Sequence, residues 1–320
     1  MVQETVDIED IISIDEQESI DDELDLVNLV SNNANNANQY LLFLGSDAQY
    51  YAMNVSKIEE LVSFKDIEIA YNHDKNRILM GTADIRGEIV SLINFDKWMG
   101  NEVSEDEYYK IVILASFGSK RFTMLVKDVE GITAVDASNM VDNSMDNSKS
   151  SFICKINIEG SEKLCTVFDS DMLLFDIYDG TDIQKEIDSS LYSASKKSNK
   201  IVLFADDSKY IRTIVEKLFI QLELQYKIYK DGQELLDDIV NFSPLDIGLF
   251  ITDLEMPRAS GRDVIEHIRD DNQYEDINII VHTNMSSDIM SQDLIKSNVA
   301  QIIDKVDMLA LANAIEEYII

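Results

Sequence analysis

The residues best able to do chemistry are five polar side chains in the C-terminal third of the chain. Each lies where a short apolar, strand-like segment ends; they are Asp206, Asp207, Asp253, Thr283 and Lys305. One aspartate in such a place is usually a turn or cap residue. In open parallel sheets, however, ligands bind where the loops converge at the carboxyl ends of the strands. Polar residues at successive strand ends therefore predict one shared pocket.

The predicted pocket suits a magnesium ion. Two or three carboxylates in one pocket repel each other, and a hard cation offsets this repulsion. Mg²⁺ takes oxygen ligands in near-octahedral geometry and keeps several of its waters. We expect Asp207, Asp253 and the backbone carbonyl of Glu255 to bind the ion directly. Asp206 is expected to act mainly through a water.

The same residues predict phosphoryl transfer to Asp253. Its carboxylate is placed to attack phosphorus and to form an acyl phosphate. Lys305 would offset charge on the phosphoryl oxygens, and the Thr283 hydroxyl would hydrogen-bond one of them. The chain has no GxxxxGK[ST] or GxGxxG motif for a nucleotide. We therefore expect the phosphoryl group to come from a donor protein or a small phosphodonor, and we predict no enzyme that acts on a separate substrate.

Strands and helices alternate from residue 199 to the end, and these elements must hold the pocket. Five apolar, β-branched segments are each followed by a helical stretch or a loop and helix. Such alternation predicts a parallel sheet of five strands with helices on both faces. The predicted strands are 201–205, 225–229, 247–251, 277–282 and 300–303.

Residues 40 to 168 show a different pattern, with short segments rich in β-branched and aromatic residues. Turn signals separate these segments and long helical stretches are few, which predicts an all-β barrel or sandwich. Residues 169 to 178 have helical spacing and close this half. Because no catalytic set of residues occurs in it, a binding module is the simplest interpretation.

Composition divides the chain into four parts. Residues 1–37 form an acidic flexible tail without Lys or Arg, and residues 38–178 form the β domain. The polar residues 179–198 form a linker of the kind found between domains. Residues 199–320 form the α/β domain.

Charge and hydropathy exclude several classes of partner. The net charge of −34 argues against binding to nucleic acid or anionic lipid, because both repel an acidic surface. The chain has no apolar run of 18 residues and no basic start followed by the apolar stretch of a signal peptide. We therefore expect no membrane insertion and a cytoplasmic location.

The α/β half resembles the response-regulator receiver domains of two-component signalling. The matching residues are Asp206-Asp207, Thr252-Asp253-Leu-Glu-Met-Pro257, Gly261, Thr283 and Lys305. This resemblance implies a flavodoxin-like fold and Mg²⁺-dependent transfer of a phosphoryl group from a histidine kinase to Asp253. It also implies that phosphorylation rearranges the face around the fourth and fifth strands.

Three residues depart from the receiver family in or beside its switch region. Asn284 stands where a very small residue usually follows Thr283, and its bulk is expected to slow transfer or hydrolysis. Ile302 stands where a switching Tyr or Phe is common, and Val306 replaces the usual Pro after Lys305. These two changes bear on the output switch, whereas the residues for phosphorylation are all present.

The β half resembles the CheW-like domain of bacterial chemotaxis coupling proteins. The matching segments are 40–44, 51–61, 83–90 and 126–131. The resemblance implies two five-stranded β-barrel subdomains that bind a CheA-type histidine kinase and the cytoplasmic tips of chemoreceptors. Arg86 and Gly87 match the Arg-Gly of the family, and Arg86 is expected to pair with Glu60. That pair either belongs to the partner-binding surface or is structural.

The order of the two halves resembles the CheV-type chemotaxis coupling proteins. It implies an adaptor in chemoreceptor arrays that couples receptors to the kinase and is modulated by phosphorylation of Asp253. Two other hypotheses remain at this point. In the first, the chain is a phosphate sink that drains phosphoryl groups from the kinase. In the second, it is a scaffold whose receiver no longer switches. The receptors, the stimulus, the oligomeric state and the direction of the effect are not encoded in any motif.

Overall fold

The computed structural model describes residues 39–72, 78–101, 109–117, 120–135, 139–142, 149–158, 160–177, 198–284, 294 and 296–319. The predicted acidic tail and residues 179–197 of the predicted linker lie outside these ranges. Within the described part of the chain, no helix is both long enough and apolar enough to cross a membrane.

The described residues of the N-terminal half form two mainly antiparallel sheets and two α-helices, with two short 3-10 turns. Its strands are β1 (Gln39–Leu44), β2 (Tyr50–Asn54), β3 (Ile58–Ser63), β4 (Glu68–Tyr71), β5 (Leu79–Ile85), β6 (Glu88–Asn94), β7 (Ile111–Phe117), β8 (Lys120–Val126), β9 (Asp128–Ala134), β10 (Val141–Asp142), β11 (Ser150–Ile158) and β12 (Ser161–Phe168). Its helices are α1 (Phe95–Met99) and α2 (Ser170–Ile177). The strand orders are β10-β11-β12-β2-β1-β9 and β3-β7-β8-β6-β5-β4.

The all-β fold expected for this half is confirmed, but each of its two sheets has six strands and not the five that the family resemblance implies for each subdomain. In the first sheet, β10 at one end has only two residues, too few to show a pattern in the sequence. In the second sheet, β4 lies at an edge and three of its four side chains are exposed. A mostly exposed strand lacks the apolar alternation from which strands are predicted.

An aromatic cluster fills the core between the two sheets. The ring of Phe95 lies 4.9 Å from Phe43 and 5.1 Å from Phe168, both in edge-to-face geometry. Such aromatic pairs stabilise a core beyond the area that they bury. Helix α2 packs on this cluster through Leu173 and Leu174. The core thus fixes the position of α2, which immediately follows β12.

The C-terminal half is a parallel sheet between two layers of helices, as the alternating pattern predicts. Its strands are β13 (Ile201–Ala205), β14 (Gln225–Tyr229), β15 (Ile247–Thr252), β16 (Ile279–His282) and β17 (Gln301–Ile303). Its helices are α3 (Lys209–Gln221), α4 (Gly232–Ile239), α5 (Gly261–Asp270) and α6 (Met308–Tyr318). The strand order is β14-β13-β15-β16-β17, and every ladder is parallel.

The central strand β15 is buried along its whole length, as expected for a parallel strand covered on both faces. Successive side chains of its neighbour β13 enter opposite cores. Phe204 packs in the core that contains α3 and α6, whereas Leu203 packs in the core that contains α4 and α5. This double burial holds the strand ends rigidly, and the predicted pocket lies at those ends.

Gly261 brings helix α5 close to the loop after β15. A Cβ atom at this position would lie 1.9 Å from the backbone oxygen of Asp253, far inside van der Waals contact. The helix begins there with a capping box, in which Ser260 and Asp263 exchange hydrogen bonds. Glycine is therefore required for the helix to start against the Asp253 backbone.

We predict that Gly261→Ala destabilises the receiver half by about 2 kcal/mol, because the added methyl group forces the Asp253 loop and α5 apart. Thermal or urea unfolding would measure the loss. Asn313→Ala on the exposed face of α6 is the control, and it should leave stability unchanged or slightly higher because Ala favours helices. Equal stability of Gly261→Ala and wild type would contradict the close approach.

Candidate functional site

The five polar residues predicted from sequence do meet at one edge of the parallel sheet. Asp206 and Asp207 follow β13, Asp253 follows β15, Thr283 follows β16, and Lys305 lies two residues after β17. All except Asp207 are buried, and Asp207 is half-buried. The structure therefore forms the pocket that the spacing predicts.

Backbone hydrogen bonds between neighbouring strand ends set the spacing of these side chains. The amide of Asp253 donates to the carbonyl of Ala205 at 2.9 Å, which ties the end of β15 to the end of β13. The amide of Thr283 donates to the carbonyl of Ile303 at 2.9 Å and ties β16 to β17. Asp206 Oδ1 accepts from the amide of Ser208 at 2.9 Å, which orients its carboxylate.

A buried ammonium group lies at the centre of the site. Lys305 Nζ donates to Asp253 Oδ2 at 2.9 Å, to Asp206 Oδ1 at 3.2 Å and to Asp171 Oδ2 at 3.3 Å. Burial by itself lowers the pKa of Lys305, but attraction by these carboxylates outweighs it and raises the pKa well above the ordinary value. Lys305 is therefore charged at physiological pH.

One ammonium does not balance all the carboxyl groups around it. Burial, with Asp253 and Asp171 nearby, raises the pKa of Asp206 well above its ordinary value, although Lys305 lowers it. Burial likewise raises the pKa of Asp207 to about 7, against the opposing effect of Lys57 and Lys305. Both carboxyl groups thus favour the protonated form in this arrangement, because Lys57 and Lys305 do not offset all of the carboxylates around them.

This excess of carboxylates fits a hard divalent cation. Carboxylate oxygens of Asp171, Asp206 and Asp207 lie within 4.8 Å of one another. Asp207 Oδ1 and Glu255 Oε1 are buried, and neither accepts a hydrogen bond from the described residues. Mg²⁺ prefers such oxygen ligands and brings its own waters to the remaining positions. The donor set therefore suits the ion, with Asp171 beside the residues predicted from sequence.

Asp171 is the site residue that the sequence did not reveal. It belongs to α2 of the N-terminal half, where helical spacing predicted only a helix that closes the domain. In addition to its bond with Lys305, its Oδ1 accepts from Asn284 Nδ2 at 2.5 Å. An Asp at the start of a helix is an ordinary sequence feature. Nothing in the local pattern indicates that it reaches into another domain.

The two predicted switch residues and their neighbour lie around the pocket. Asn284 is half-buried and directed at Asp171 through the hydrogen bond described above. Ile302 is half-buried in β17 and packs against the core on the α4 and α5 side. Val306, directly after Lys305, is 38% exposed. Asn284 therefore lies in the site, whereas Ile302 packs against the hydrophobic core of the receiver.

The predicted partner-binding residues lie on the second sheet of the N-terminal half. Arg86 Nη2 lies 2.5 Å from Glu60 Oε1, so the expected pair is formed. Arg86 and Gly87 have φ angles of +53° and +86° in the turn between β5 and β6. The Arg86 side chain is 79% exposed, and an ion pair so open to solvent contributes little to stability.

A second arginine extends this charged surface. Arg121 on β8 contacts Glu88 on the neighbouring strand β6 and Glu59 on β3, which lies beyond β7. Together with Arg86 and Glu60 these residues form a partly exposed patch of alternating charge, which we call the Arg86 patch. Its side chains are joined by ion pairs between different strands of the sheet.

Comparison with known proteins assigns a family to each half. Residues 39–177 match the family model of the CheW-like domain, and residues 202–316 match that of the response regulator receiver domain.

Two similar proteins contain both halves. The chemotaxis protein CheV2 of Helicobacter pylori is 27% identical over 87% of this chain and 96% of its own length. CheV1 of the same organism is 28% identical over 82% of this chain and 87% of its own length. A solved structure of the scaffolding protein TtCheW from Thermoanaerobacter tengcongensis matches 40% of this chain and 88% of its own, at 15% identity and a TM-score of 0.34. The chain therefore contains a CheW-like domain followed by a receiver domain, and it is similar over most of its length to the CheV chemotaxis proteins.

Proposed function

We propose that the chain is a chemotaxis coupling adaptor that is regulated by phosphorylation of Asp253. The observation that carries the proposal is the pocket in which Lys305 pairs with Asp253 and Asp206 at the ends of three parallel strands. An aspartate, a buried ammonium and an acidic site for a hard cation are the parts that a phosphorylatable receiver requires. The similarity to chemotaxis proteins over most of the chain supports the biological setting.

The residues have separate tasks in the proposed transfer. Asp253 attacks the phosphorus of a phosphohistidine, so that a phosphorus–oxygen bond forms while the phosphorus–nitrogen bond breaks and the leaving imidazole takes a proton. Lys305 offsets negative charge on the phosphoryl oxygens, and the hydroxyl of Thr283 donates to one of them. Asp207 and Asp253 would hold Mg²⁺ with the backbone carbonyl of Glu255, and Asp206 would act mainly through a water. When bound, the ion supplies further neutralisation of the phosphoryl oxygens.

The N-terminal domain is proposed to be the coupling domain, with the Arg86 patch as its contact with other proteins. Its partners would be a CheA-type histidine kinase and the cytoplasmic tips of chemoreceptors, which places the protein in the cytoplasm at receptor arrays. The exposed ion pairs of the patch cost little to rearrange on binding. Charged residues at an interface contribute to specificity more than to affinity, which suits a reversible assembly.

A phosphate sink is less well supported by the geometry. A sink must accept and lose phosphoryl groups rapidly, which requires an acceptor that donors and water can reach. The Asp253 side chain is only 2% exposed, and so is that of Lys305. This burial favours regulated access to the acceptor over rapid turnover.

We predict that Asp253→Asn abolishes labelling of the protein by a phosphorylated chemotaxis kinase in the presence of Mg²⁺, because the amide is a poor nucleophile. Asp246→Asn, an exposed acid in the same domain, is the matched control and should be labelled as wild type. Acid-resistant and base-labile label would identify an acyl phosphate. Full labelling of Asp253→Asn would refute the assignment of the acceptor.

We predict that Asp207→Asn weakens Mg²⁺ binding at least tenfold, because a half-buried carboxylate ligand is lost. Isothermal titration with MgCl₂ in the absence of any phosphodonor would measure it. The metal-free variant should be at least as stable as wild type, since one of several crowded carboxyl groups becomes neutral. Unchanged Mg²⁺ affinity would show that the ion is held elsewhere.

We predict that Arg86→Ala weakens binding to the kinase or to a receptor tip fivefold or more, without changing phosphorylation of Asp253. Pull-down or titration with each purified partner would measure the effect. Lys155→Ala is the matched control, because Lys155 also forms an exposed ion pair, with Glu162 on the other sheet. If both variants bind as wild type does, the Arg86 pair is structural and the contact surface lies elsewhere.

A further inference from the structure

We infer that Asp171 of the coupling domain closes the phosphorylation site of the receiver, so that docking of the two domains and phosphorylation of Asp253 exclude each other. This inference rests on the proposed role of Asp253. It adds an internal regulator, because the residue that blocks the site belongs to the domain that would bind the partners.

Asp171 uses the donors that a phosphoryl group would need. An ammonium group has three N–H donors, and those of Lys305 are directed at Asp253, Asp206 and Asp171. The first two acceptors belong to the receiver, so Asp171 takes the remaining donor. Its other oxygen accepts from Asn284, the residue after Thr283. A carboxylate of the coupling domain thus stands where phosphoryl oxygens would be bound.

The acceptor itself is engaged and shielded in this arrangement. Asp253 Oδ1 accepts from the amide of Leu254 at 2.7 Å, and Oδ2 accepts from Lys305. The space left between the domains beside Asp207 is a cavity of about 20 Å³, lined among others by Lys57, Asp169 and Glu255. Such a cavity holds a single water molecule. A phosphoryl group on its donor could not reach Asp253 without movement of the coupling domain.

Contacts on both sides of Asp171 hold the domains together. Both carboxylate oxygens of Asp169 accept from Ser208 Oγ at 3.0 Å, at the start of α3 in the receiver. The rings of Phe175 in α2 and Tyr210 in α3 lie 4.3 Å apart. The coupling domain therefore contacts the receiver at Asp169, directly before α2, and again at Phe175 within α2. These two contacts direct Asp171, which lies between them, into the pocket.

A lysine of the coupling domain adds a cation to the same boundary. Lys57 Nζ donates to Ser170 Oγ at 2.9 Å. Burial lowers its pKa, but attraction by Asp171, Asp207 and Glu255 outweighs burial and raises it. In the docked state Lys57 thus offsets part of the negative charge that a divalent cation would otherwise offset.

Phosphorylation would break this arrangement electrostatically. The phosphoryl group carries about 1.5 to 2 negative charges at neutral pH, and because the Asp253 carboxylate loses its own charge in the acyl phosphate, the site gains roughly one negative charge. The phosphoryl group competes with Asp171 for Lys305, and it repels the Asp171 carboxylate inside a poorly solvated pocket. By linkage, any contact that favours docking must oppose phosphorylation, and phosphorylation must weaken docking by the same factor.

The first test compares rates of phosphorylation by acetyl phosphate at saturating Mg²⁺. Asp171→Asn removes the charge that competes for Lys305, so we expect phosphorylation at least tenfold faster than in wild type. Asp66→Asn, the same change at an exposed position of the coupling domain, should leave the rate unchanged. Equal rates for Asp171→Asn and wild type would overturn the inference.

The second test measures domain separation without phosphotransfer. Small-angle X-ray scattering of the full chain should show a larger radius of gyration for Asp171→Asn than for wild type. Beryllofluoride with Mg²⁺, which mimics the phosphoryl group, should expand wild type but not Asp253→Asn. An unchanged or smaller radius of gyration in wild type would show that the phosphorylated state keeps the domains docked and would refute mutual exclusion.

A second variant guards against a folding defect in Asp171→Asn. Tyr210→Ala removes the ring contact with Phe175 outside the pocket, and it should also speed phosphorylation and expand the chain. Both variants are compared with wild type by circular dichroism and thermal unfolding. If no protein is labelled, including wild type, the proposed function fails. If all are labelled at one rate, only the inference fails.

Discussion

The arrangement of the molecule depends on one buried charge, the ammonium of Lys305. Taking a cation out of water is costly unless several acceptors surround it. The receiver provides two aspartates at the ends of neighbouring strands, and the coupling domain provides a third through α2. The lysine therefore connects two domains whose hydrophobic cores are separate apart from Phe175 of α2, which packs against the receiver core. Removing the coupling domain would take away Asp171 and leave the hydrogen bonding of Lys305 incomplete.

The two domains position their carboxylates around the ammonium of Lys305 by different means. In the receiver, a sheet buried on both faces brings residues far apart in sequence to one edge, where backbone hydrogen bonds set their spacing. In the coupling domain, an aromatic core seats α2, and Trp98 Nε1 donates to Asp176 at 2.9 Å near the end of that helix. The first turn of α2 is thereby held at the edge of its own domain, where a neighbour can contact it.

The sequence predicted the receiver better than it predicted the junction. Strand ends such as Asp253 and Lys305 follow from the alternation of apolar segments, because that alternation fixes where a parallel strand must stop. The short edge strands β4 and β10 leave no such pattern, and the expectation of five strands in each subdomain came from the family resemblance, so the sixth strand of each sheet was not predicted. Asp171 could not be predicted at all. Its function depends on how two domains meet, and such contacts have no local periodicity.

Strand β3 sets a distance that limits how a signal could pass between the domains. It begins directly after Lys57 at the receiver boundary and carries Glu60 of the Arg86 patch, so the α-carbons of these residues are at most about 11 Å apart. A typical protein partner covers roughly 800 Å² on each side, a footprint nearly 30 Å across. A protein bound to the Arg86 patch would therefore extend into the space that the docked receiver occupies. Simple crowding between two bulky neighbours would be enough to connect phosphorylation to assembly, and the β-sheet itself need not change shape.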